Sequence, residues 1–170
     1  MILATFDPSG RTGVAWGSVD SGAPSATTYR LPDDSHSHAL SVLRQSAVGL
    51  FRHYGVTHVC VEAPLLKINR QCSAASLYFQ VSVTAVILEA AASCTIPDSR
   101  IELVPVERWR KSFLGGNGRF STEDAKAGAL ARCRLLGWPV VDHNSAEAAG
   151  MWFWKMATTN PRWRPTRLAA

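Results

Sequence analysis

The sequence predicts a single α/β domain in which a mixed five-stranded sheet is flanked by helices. The chain has 170 residues, of which 46% are hydrophobic and 18% are charged. That length and composition suit one compact core and are small for two domains. Three strand-like segments come first, and strand-like runs then alternate with segments of helical periodicity. This order is typical of a sheet covered by helices.

Turn residues and apolar spacing place the first elements. The predicted strands are Ile2–Phe6, Thr12–Ser18, Ala26–Leu31, Thr57–Val61 and Ile101–Pro105, and the predicted helices are Ser37–Tyr54, Cys72–Ala92, Glu107–Leu114, Ser121–Leu136 and about Asn144 to Met156. The first two strands form a hairpin across Pro8-Ser9-Gly10, and the third follows another turn-rich stretch. Apolar residues at helical spacing mark the first helix, which Gly55 ends.

Local sequence signals also predict the later strands and helices. The run THVCV is apolar on both faces, which is typical of a strand covered on both sides. A long apolar helix, a short strand and a short helix follow, up to the glycine-rich stretch GGNG. Ser121 is the expected cap of the next helix, with Glu123 and Asp124 in its first turn. In the last helix, Trp152 and Trp154 are interpreted as core packing.

This order of elements is that of the ribonuclease H-like fold. We assign the fold to residues 1–158 and regard residues 159–170 as a basic C-terminal tail. Trp163 lies between two arginines of that tail. It is expected either to stack on an exposed base or to belong to a solvated segment.

Charge and cysteine spacing narrow the classes of function. The net charge is +5, and it is uneven, since residues 1–66 hold four basic and five acidic side chains and residues 67–170 hold fourteen and eight. A basic second half suits a polyanion such as nucleic acid. The four cysteines form no CxxC pair, so neither a zinc site nor disulfides are expected. We expect a cytoplasmic protein without a signal peptide, a membrane span (Val81–Ala92 is too short and polar) or a nucleoside triphosphate site.

Three acidic residues stand out because of where they fall. Asp7 closes the first strand and Glu62 the central one, so neighbouring strands would put two carboxylates side by side. Glu147 lies in the first turn of the last helix. Carboxylates that close raise each other's pKa unless a cation neutralises them, and Mg²⁺ suits oxygen ligands. Two such ions can clamp the attacking and leaving oxygens of a phosphodiester.

Each of these acids also has a purely structural interpretation. Asp7 could cap the Pro-Ser-Gly turn, and Glu62 could be a solvated strand end. The segment Asn144-Ser-Ala-Glu147 has the spacing of a capping box, with Asn144 as the cap. The three positions together are more specific for a metal site than any one of them alone.

At these residues the chain resembles the RuvC-like Holliday-junction resolvases, most closely the small phage and prophage versions, from Ile2 to about Met156. ILATFDPSGRTGVAWG is similar to the family's first two strands, and VCVEAP is similar to its second motif. ASLYFQVSVTAVILEAA takes the place of a long helix that contributes to dimer formation. VERWRKSFLGGNGRFSTEDAK is similar to the basic segment near the junction, and VVDHNSAEAAGMWFW is similar to the last acidic motif.

The resemblance implies a crossover junction endodeoxyribonuclease. It would be a homodimer that binds a four-way or otherwise branched DNA and nicks two symmetric strands by hydrolysis. The resemblance gives Asp7, Glu62 and Glu147 as catalytic residues and metal ligands, with Asn144 as a further ligand and Lys111 as the functional lysine. The implied cofactor is Mg²⁺ or Mn²⁺, with two ions per active site.

Two positions in the last motif depart from the family pattern. Glu147 stands where the family usually has Asp, and Asn144 stands where it has an acid or a His. The side chains just upstream that could serve as alternative ligands are Asp142 and His143. The family's second basic residue, beyond the glycine-rich loop, is also displaced here.

Basic side chains predict where DNA would be contacted. The predicted DNA-binding residues are Arg108, Arg110, Lys111, Arg119, Lys67 and Arg70. For the displaced second basic residue the candidates are Arg119 and Lys126. Leu65 and Leu66 could wedge into an opened junction or cover the edge of the core.

Three other functions fit parts of the pattern. The chain could be a catalytically weak or inactive DNA-binding protein of the same fold, which the neutral Asn144 would favour. It could also be a related nuclease acting on another nucleic acid, because the metal chemistry is shared while the shape of the bound nucleic acid selects the substrate. A phosphate-binding domain related to sugar kinases would need a second lobe, for which the chain is too short.

Overall fold

The part of the chain that the computed structural model describes, residues 1–64 and 73–165, forms a five-stranded sheet and five α-helices. The strands are β1 Ile2–Asp7, β2 Arg11–Ser18, β3 Ser25–Arg30, β4 His58–Glu62 and β5 Ile101–Val104. The helices are α1 His36–Tyr54, α2 Ala74–Ser93, α3 Val106–Leu114, α4 Thr122–Leu136 and α5 His143–Thr159. Most ends lie within one or two residues of the predicted ones.

The sheet is mixed, with strand order β3-β2-β1-β4-β5. β2 is antiparallel to both β1 and β3, whereas β1, β4 and β5 run parallel. The predicted α/β class with a mixed five-stranded sheet is therefore confirmed. Phe6 of β1 is in register with Val61 of β4, so Asp7 and Glu62 end neighbouring parallel strands at the same edge.

The sheet separates two apolar cores, because successive side chains of a strand point to opposite faces. On one face Phe6 and Val61 pack with α1 and α2. On the other face Leu3 and Cys60 pack with α3, α4 and α5. Asp7 and Glu62 share the parity of Leu3 and Cys60 along their strands. Both acids are therefore directed to the face that α5 covers.

The start of α5 differs from the expected one. Its N-cap is Asp142, whose side chain accepts a hydrogen bond from the Ser145 backbone N–H while the Ser145 hydroxyl bonds back to the cap. The predicted capping box of Asn144 with Glu147 is therefore wrong. A cap needs extended backbone, which Asp142 has (φ −159°). Asn144 lies inside the first turn, and Glu147 is the fifth helical residue.

Close backbone approach fixes α5 on the sheet. The Thr5 hydroxyl of β1 donates to the Ala148 carbonyl over 2.8 Å. Gly13 of β2 lies directly beneath the Asn144 carbonyl, which any Cβ at position 13 would strike. Farther along α5, a Cβ at Gly150 would lie 2.6 Å from the ring of Phe113 on α3. These contacts bring both β2 and α3 against the first half of α5.

The segment after α5 folds back onto the core. Trp163 is only 8% exposed, its indole N–H donates to the Ser21 carbonyl over 3.1 Å, and its ring packs edge-on against Trp152 and Phe153. The expectation that Trp163 lies in a solvated tail or stacks on DNA is wrong. The reason is a turn after α5, in which the backbone N–H of Trp163 donates to the backbone carbonyl of Asn160. Core packing of Trp152 and Trp154 is confirmed.

The helix α2 lies close to its predicted bounds and is 20 residues long. Among the described residues it is the one helix with the length and composition to cross a membrane, which corrects the prediction that no stretch is long enough. The same properties occur in core helices, so they are weak evidence for a membrane span. In the structure Val83, Ile87 and Ala90 bury one side of α2 in the core beneath the sheet.

Candidate active site

Three acidic side chains from three elements meet at one edge of the sheet. Asp7 and Glu62 come from the carboxyl ends of β1 and β4, and Glu147 comes from the first half of α5, which covers that face. Their charges act on one another: Glu62 and Glu147 both raise the pKa of Asp7, and Glu147 raises the pKa of Glu62. The structure thus brings together the three acids that the sequence singled out.

Burial is the main reason why all three carboxyl groups resist ionisation. Desolvation, followed by repulsion from the other two acids, raises the pKa of Asp7 well above its usual range. Desolvation raises the pKa of Glu62 to about 7, against the opposing effect of a hydrogen bond from Trp109. The pKa of Glu147 is also raised by burial, although nearby cations reduce the rise. A positive charge placed among them would relieve this cost.

Two consecutive residues of α3 bind two of the carboxylates. The indole N–H of Trp109 donates to Glu62 Oε2 over 2.7 Å, and Trp109 is fully buried. Arg110 Nη2 donates to Glu147 Oε1 over 3.0 Å and forms an ion pair with it. The guanidinium of Arg110 lies 5.4 Å above the Trp109 ring. One helix therefore orients Glu62 and supplies a cation to Glu147.

The sequence alone predicts different roles for these residues of α3. It places Trp109 within a basic segment and Arg110 on DNA, and the family resemblance implies Lys111 in the active site. In the structure Lys111 is exposed, and Arg110 contacts Glu147. The signal in the sequence is the pair Trp109 and Phe113, four residues apart and apolar, which turns that face of α3 to the core.

The other cations near the glycine-rich loop occupy different places. Lys126 of α4 is half-buried and lowers the pKa of both Asp7 and Glu147, so it lies close to the acids. Arg119 is exposed, with its backbone N–H bonded to the Asn117 side chain. Of the two candidates for the displaced basic residue, Lys126 is the one whose charge reaches the carboxylates.

The three residues before Glu147 differ in what they can offer a ligand. Asp142 is engaged as the cap and also accepts from the Thr28 hydroxyl over 2.6 Å. Burial opposes its ionisation, but these hydrogen bonds outweigh burial and lower its pKa. His143 is partly exposed and lowers the pKa of Glu147. Asn144 is 5% exposed, and its side-chain Nδ2 has no hydrogen-bond partner in the described part of the chain.

The side chains of the site have donor atoms that suit a divalent cation, but they are not close enough together to hold one in this structure. Carboxylates and an Asn amide oxygen are the donors that Mg²⁺ and Mn²⁺ prefer. The raised pKa values of the three acids are what a cation placed among them would relieve. Yet no group of three or more His, Cys, Asp and Glu side chains within residues 1–64 and 73–165 is close enough to hold a metal ion. The cation that contacts Glu147 here is Arg110.

Some predicted contact residues lie outside the described residues. These are Lys67 and Arg70, predicted to bind DNA, and Leu65 and Leu66, predicted either to wedge into the junction or to cover the core edge. Their predictions stay as stated.

The comparisons with known proteins identify the fold. No family model matches the chain, and no curated protein sequence matches it. Among solved structures, RuvC structures share this fold, which is ribonuclease H-like. The structure "T. thermophilus RuvC in complex with Holliday junction substrate" matches with a TM-score of 0.70 and 13% identity, over 94% of this chain and 95% of that chain. A second Thermus thermophilus RuvC structure matches with a TM-score of 0.63 and 16% identity, over 94% and 97%.

At these identities the comparison establishes a shared fold. It confirms the predicted ribonuclease H-like architecture and, at the level of the fold, the resemblance to RuvC. The match spans nearly the whole of both chains, so the acidic edge of the sheet belongs to the shared domain and not to an added segment.

The burial of Glu62 makes stability depend on pH. Because its pKa is about 7 in the folded protein against an ordinary 4.5, the folded state favours the neutral acid. The stability that this preference supplies is lost as the pH rises from about 4.5 through 7. Glu62→Gln cannot ionise and should raise the free energy of unfolding at pH 8 by roughly 3 kcal/mol. The gain should vanish near pH 4.5.

Urea denaturation of both proteins in chelator, at several pH values between 4.5 and 8, measures this difference. The matched control is Glu123→Gln, which neutralises an exposed acid on α4 and should give the same difference from wild type throughout. Equal stability of the Glu62 variant and wild type at pH 8 would contradict the prediction.

Proposed function

We propose that the protein is a metal-dependent endonuclease that resolves four-way (Holliday) or other branched DNA junctions by symmetric nicking. The observation that carries the proposal is the convergence of Asp7, Glu62 and Glu147, all with raised pKa values, at one edge of the sheet. The RuvC structure that shares the fold is a complex with a Holliday junction substrate, which supports branched DNA as the substrate class.

In this proposal each side chain has a definite task. Asp7, Glu62 and Glu147 hold the cations, and Asn144 adds its amide oxygen. Bound Mg²⁺ or Mn²⁺, two ions in the full form of the site, would supply a nucleophile from water and stabilise charge on the phosphate. Trp109 keeps the Glu62 carboxylate in one orientation through its 2.7 Å bond. Because the acids come from β1, β4 and α5, their spacing is fixed by the packed core.

Cleavage of a mobile four-way junction tests the proposal directly. We expect paired nicks at symmetric positions with Mg²⁺ or Mn²⁺, and little or no cutting of linear duplex, single strand or RNA–DNA hybrid. Asp7→Asn should slow cleavage by about 100-fold or more because it removes a ligand charge from the reacting site. The same variant should bind the junction as well as wild type or better, since it removes a negative charge beside the phosphate.

The matched control is Asp20→Asn, which neutralises an exposed aspartate after β2 and should leave cleavage unchanged. Loss of junction binding by Asp7→Asn would count against this site. Cutting of the hybrid instead of the junction would identify a related nuclease with another substrate.

A second candidate function is that of a catalytically weak or inactive protein that binds branched DNA. The specific observation in its favour is that Asn144 is neutral and that the acids are not gathered around a common point in the described residues. Tight junction binding without cleavage under either metal would establish that function instead.

Exposed cations beside the acids form the proposed DNA surface. Arg108 and Lys111 lie on the outer side of α3, and Arg119 follows in the glycine-rich loop, all three exposed. No acid occurs between Arg108 and Arg119. A run of uncompensated cations at the rim of a nuclease site suits the phosphate backbone on either side of the cut.

Replacing Arg108, Lys111 and Arg119 together by Gln should weaken junction binding. It should also reduce the slope of log K against log salt by roughly one unit for each phosphate that the variant no longer neutralises. The matched control replaces three exposed arginines in other elements, Arg52, Arg100 and Arg134, and should leave the slope unchanged. Fluorescence anisotropy with a labelled junction at several salt concentrations measures both, and equal slopes for the two triple variants would place the DNA elsewhere.

We also propose that the protein acts as a homodimer through α2. Symmetric nicking of two strands needs two active sites, and a twofold dimer supplies them. Apolar residues recur along the outer side of α2 at alternating intervals of four and three, as in helices that pair. They are Ala74, Tyr78, Val81, Ala85, Leu88 and Ala92. Tyr78 is 69% exposed and Val81 is 40% exposed, and a second copy of α2 would cover both.

Val81→Lys should dissociate the dimer because it places a charge in the middle of the apolar stripe. Sedimentation velocity should then show a monomer, while the unfolding transition stays cooperative. Gln45→Lys introduces the same charge at an exposed position of α1 and should remain dimeric. A wild-type protein that sediments as a monomer at micromolar concentration would overturn the proposed assembly.

A further inference from the structure

Within the described residues, the acidic site contains a cation of its own. Arg110 comes from α3, forms an ion pair with Glu147 over 3.0 Å, and has a side chain that is only 15% exposed. Its charge also favours ionisation of Asp7 and Glu62. A guanidinium therefore contacts Glu147, and its charge acts on the other two carboxylates as well.

The bonding of Arg110 is incomplete for so buried a group. A guanidinium carries five N–H donors and pairs best with a carboxylate through two parallel bonds. Arg110 makes a single hydrogen bond to Glu147, and its buried Nε has no partner among the described residues. Charge, and not a complete set of hydrogen bonds, holds the side chain in place. It can therefore leave Glu147 without breaking a network.

The neighbouring Asn144 side chain is buried three residues before Glu147 on α5, and its Nδ2 has no partner in the part of the chain described. That atom is a hydrogen-bond donor and does not bind a cation. A metal ion at the site would instead take the amide oxygen of Asn144.

We propose that Arg110 stands in for the metal in the free protein and must leave Glu147 before a divalent ion binds, so that it sets the metal concentration at which the site fills. The inference rests on the proposed function, because it concerns the metal that the nuclease would use. A guanidinium and a divalent ion on the Glu147 carboxylate repel each other, so binding of one opposes binding of the other. Trp109 would keep its bond to Glu62 throughout, so only the Arg110 side chain moves while α3 stays docked.

This proposal and a purely structural role for Arg110 predict opposite changes in metal affinity when Arg110 is removed. If Arg110 merely positioned Glu147 for the metal, its removal would loosen the carboxylate and weaken metal binding. If Arg110 competes with the metal, its removal strengthens metal binding. The sign of the change in affinity therefore separates the two roles without any measurement of cleavage.

Calorimetric titration with Mn²⁺, without DNA, measures that sign. Arg110→Gln should bind Mn²⁺ about tenfold more tightly than wild type, since the competing ion pair is removed. The matched control is Arg134→Gln, which removes an exposed cation from α4 and should change the affinity by less than about twofold. An Arg110→Gln affinity equal to or weaker than wild type would overturn the proposal.

Asp7→Asn, titrated alongside, separates failure of the inference from failure of the proposed function. Wild-type binding that this variant abolishes, together with an unchanged affinity of Arg110→Gln, overturns the inference alone. Absence of Mn²⁺ binding in both wild type and Arg110→Gln overturns both. Binding by Arg110→Gln but not by wild type supports the inference in its strongest form.

Arg110→Lys keeps the test decisive should Arg110→Gln not fold without metal. Lysine retains the charge but lacks the planar fork, so it pairs less well with Glu147. Its Mn²⁺ affinity should exceed that of wild type. An affinity of Arg110→Lys no greater than that of wild type would overturn the proposal.

Discussion

The docking of α5 across the first two strands is the constraint on which the acidic site depends. Thr5 bonds the Ala148 carbonyl from below, and Gly13 allows the Asn144 carbonyl to lie directly against β2. Glu147 lies between these two anchor points on the helix. Its height above the strand ends is therefore set by backbone contacts, and no flexible loop is needed to bring it to Asp7 and Glu62.

That packing is stable only because α3 compensates part of the charge it buries. Three desolvated carboxylates with raised pKa values oppose folding at neutral pH. Trp109 and Arg110 offset part of this cost, and Gly150 leaves room for the Trp109 ring beside α5. The helix α3 therefore contributes a hydrogen bond and an ion pair to the site as well as packing. Strain of this kind is typical of functional sites.

Local sequence patterns predict most of the strands and helices, and they also predict the part of the site that lies on the strands. Asp7 and Glu62 are predictable as neighbours because each closes an apolar strand, and strand ends meet at one edge. The cap of α5 is not predictable in this way, because Asp142, Asn144 and Ser145 are all of the residue types that cap helices, and only the backbone decides among them. The position of Trp163 escapes prediction because no local pattern shows that a chain turns back after its last helix. Predicting that Arg110 points to the site requires knowing which side of the nine-residue helix α3 faces the core. An error of one residue in that assignment turns Arg110 away from the site.

The two departures from the resolvase pattern belong together with Arg110. When all are ionised, the three carboxylates and the guanidinium sum to −2, and the nearby charge of Lys126 offsets part of that. Once Arg110 leaves Glu147 the carboxylates alone carry −3, and an acid in place of Asn144 would make this −4, the charge that two divalent ions balance. The longer side chain of Glu147 reaches Arg110 from α5. If the site binds metal as proposed, a neutral Asn and an internal cation shift the same balance, toward fewer bound ions and a site that would fill only when Arg110 is displaced.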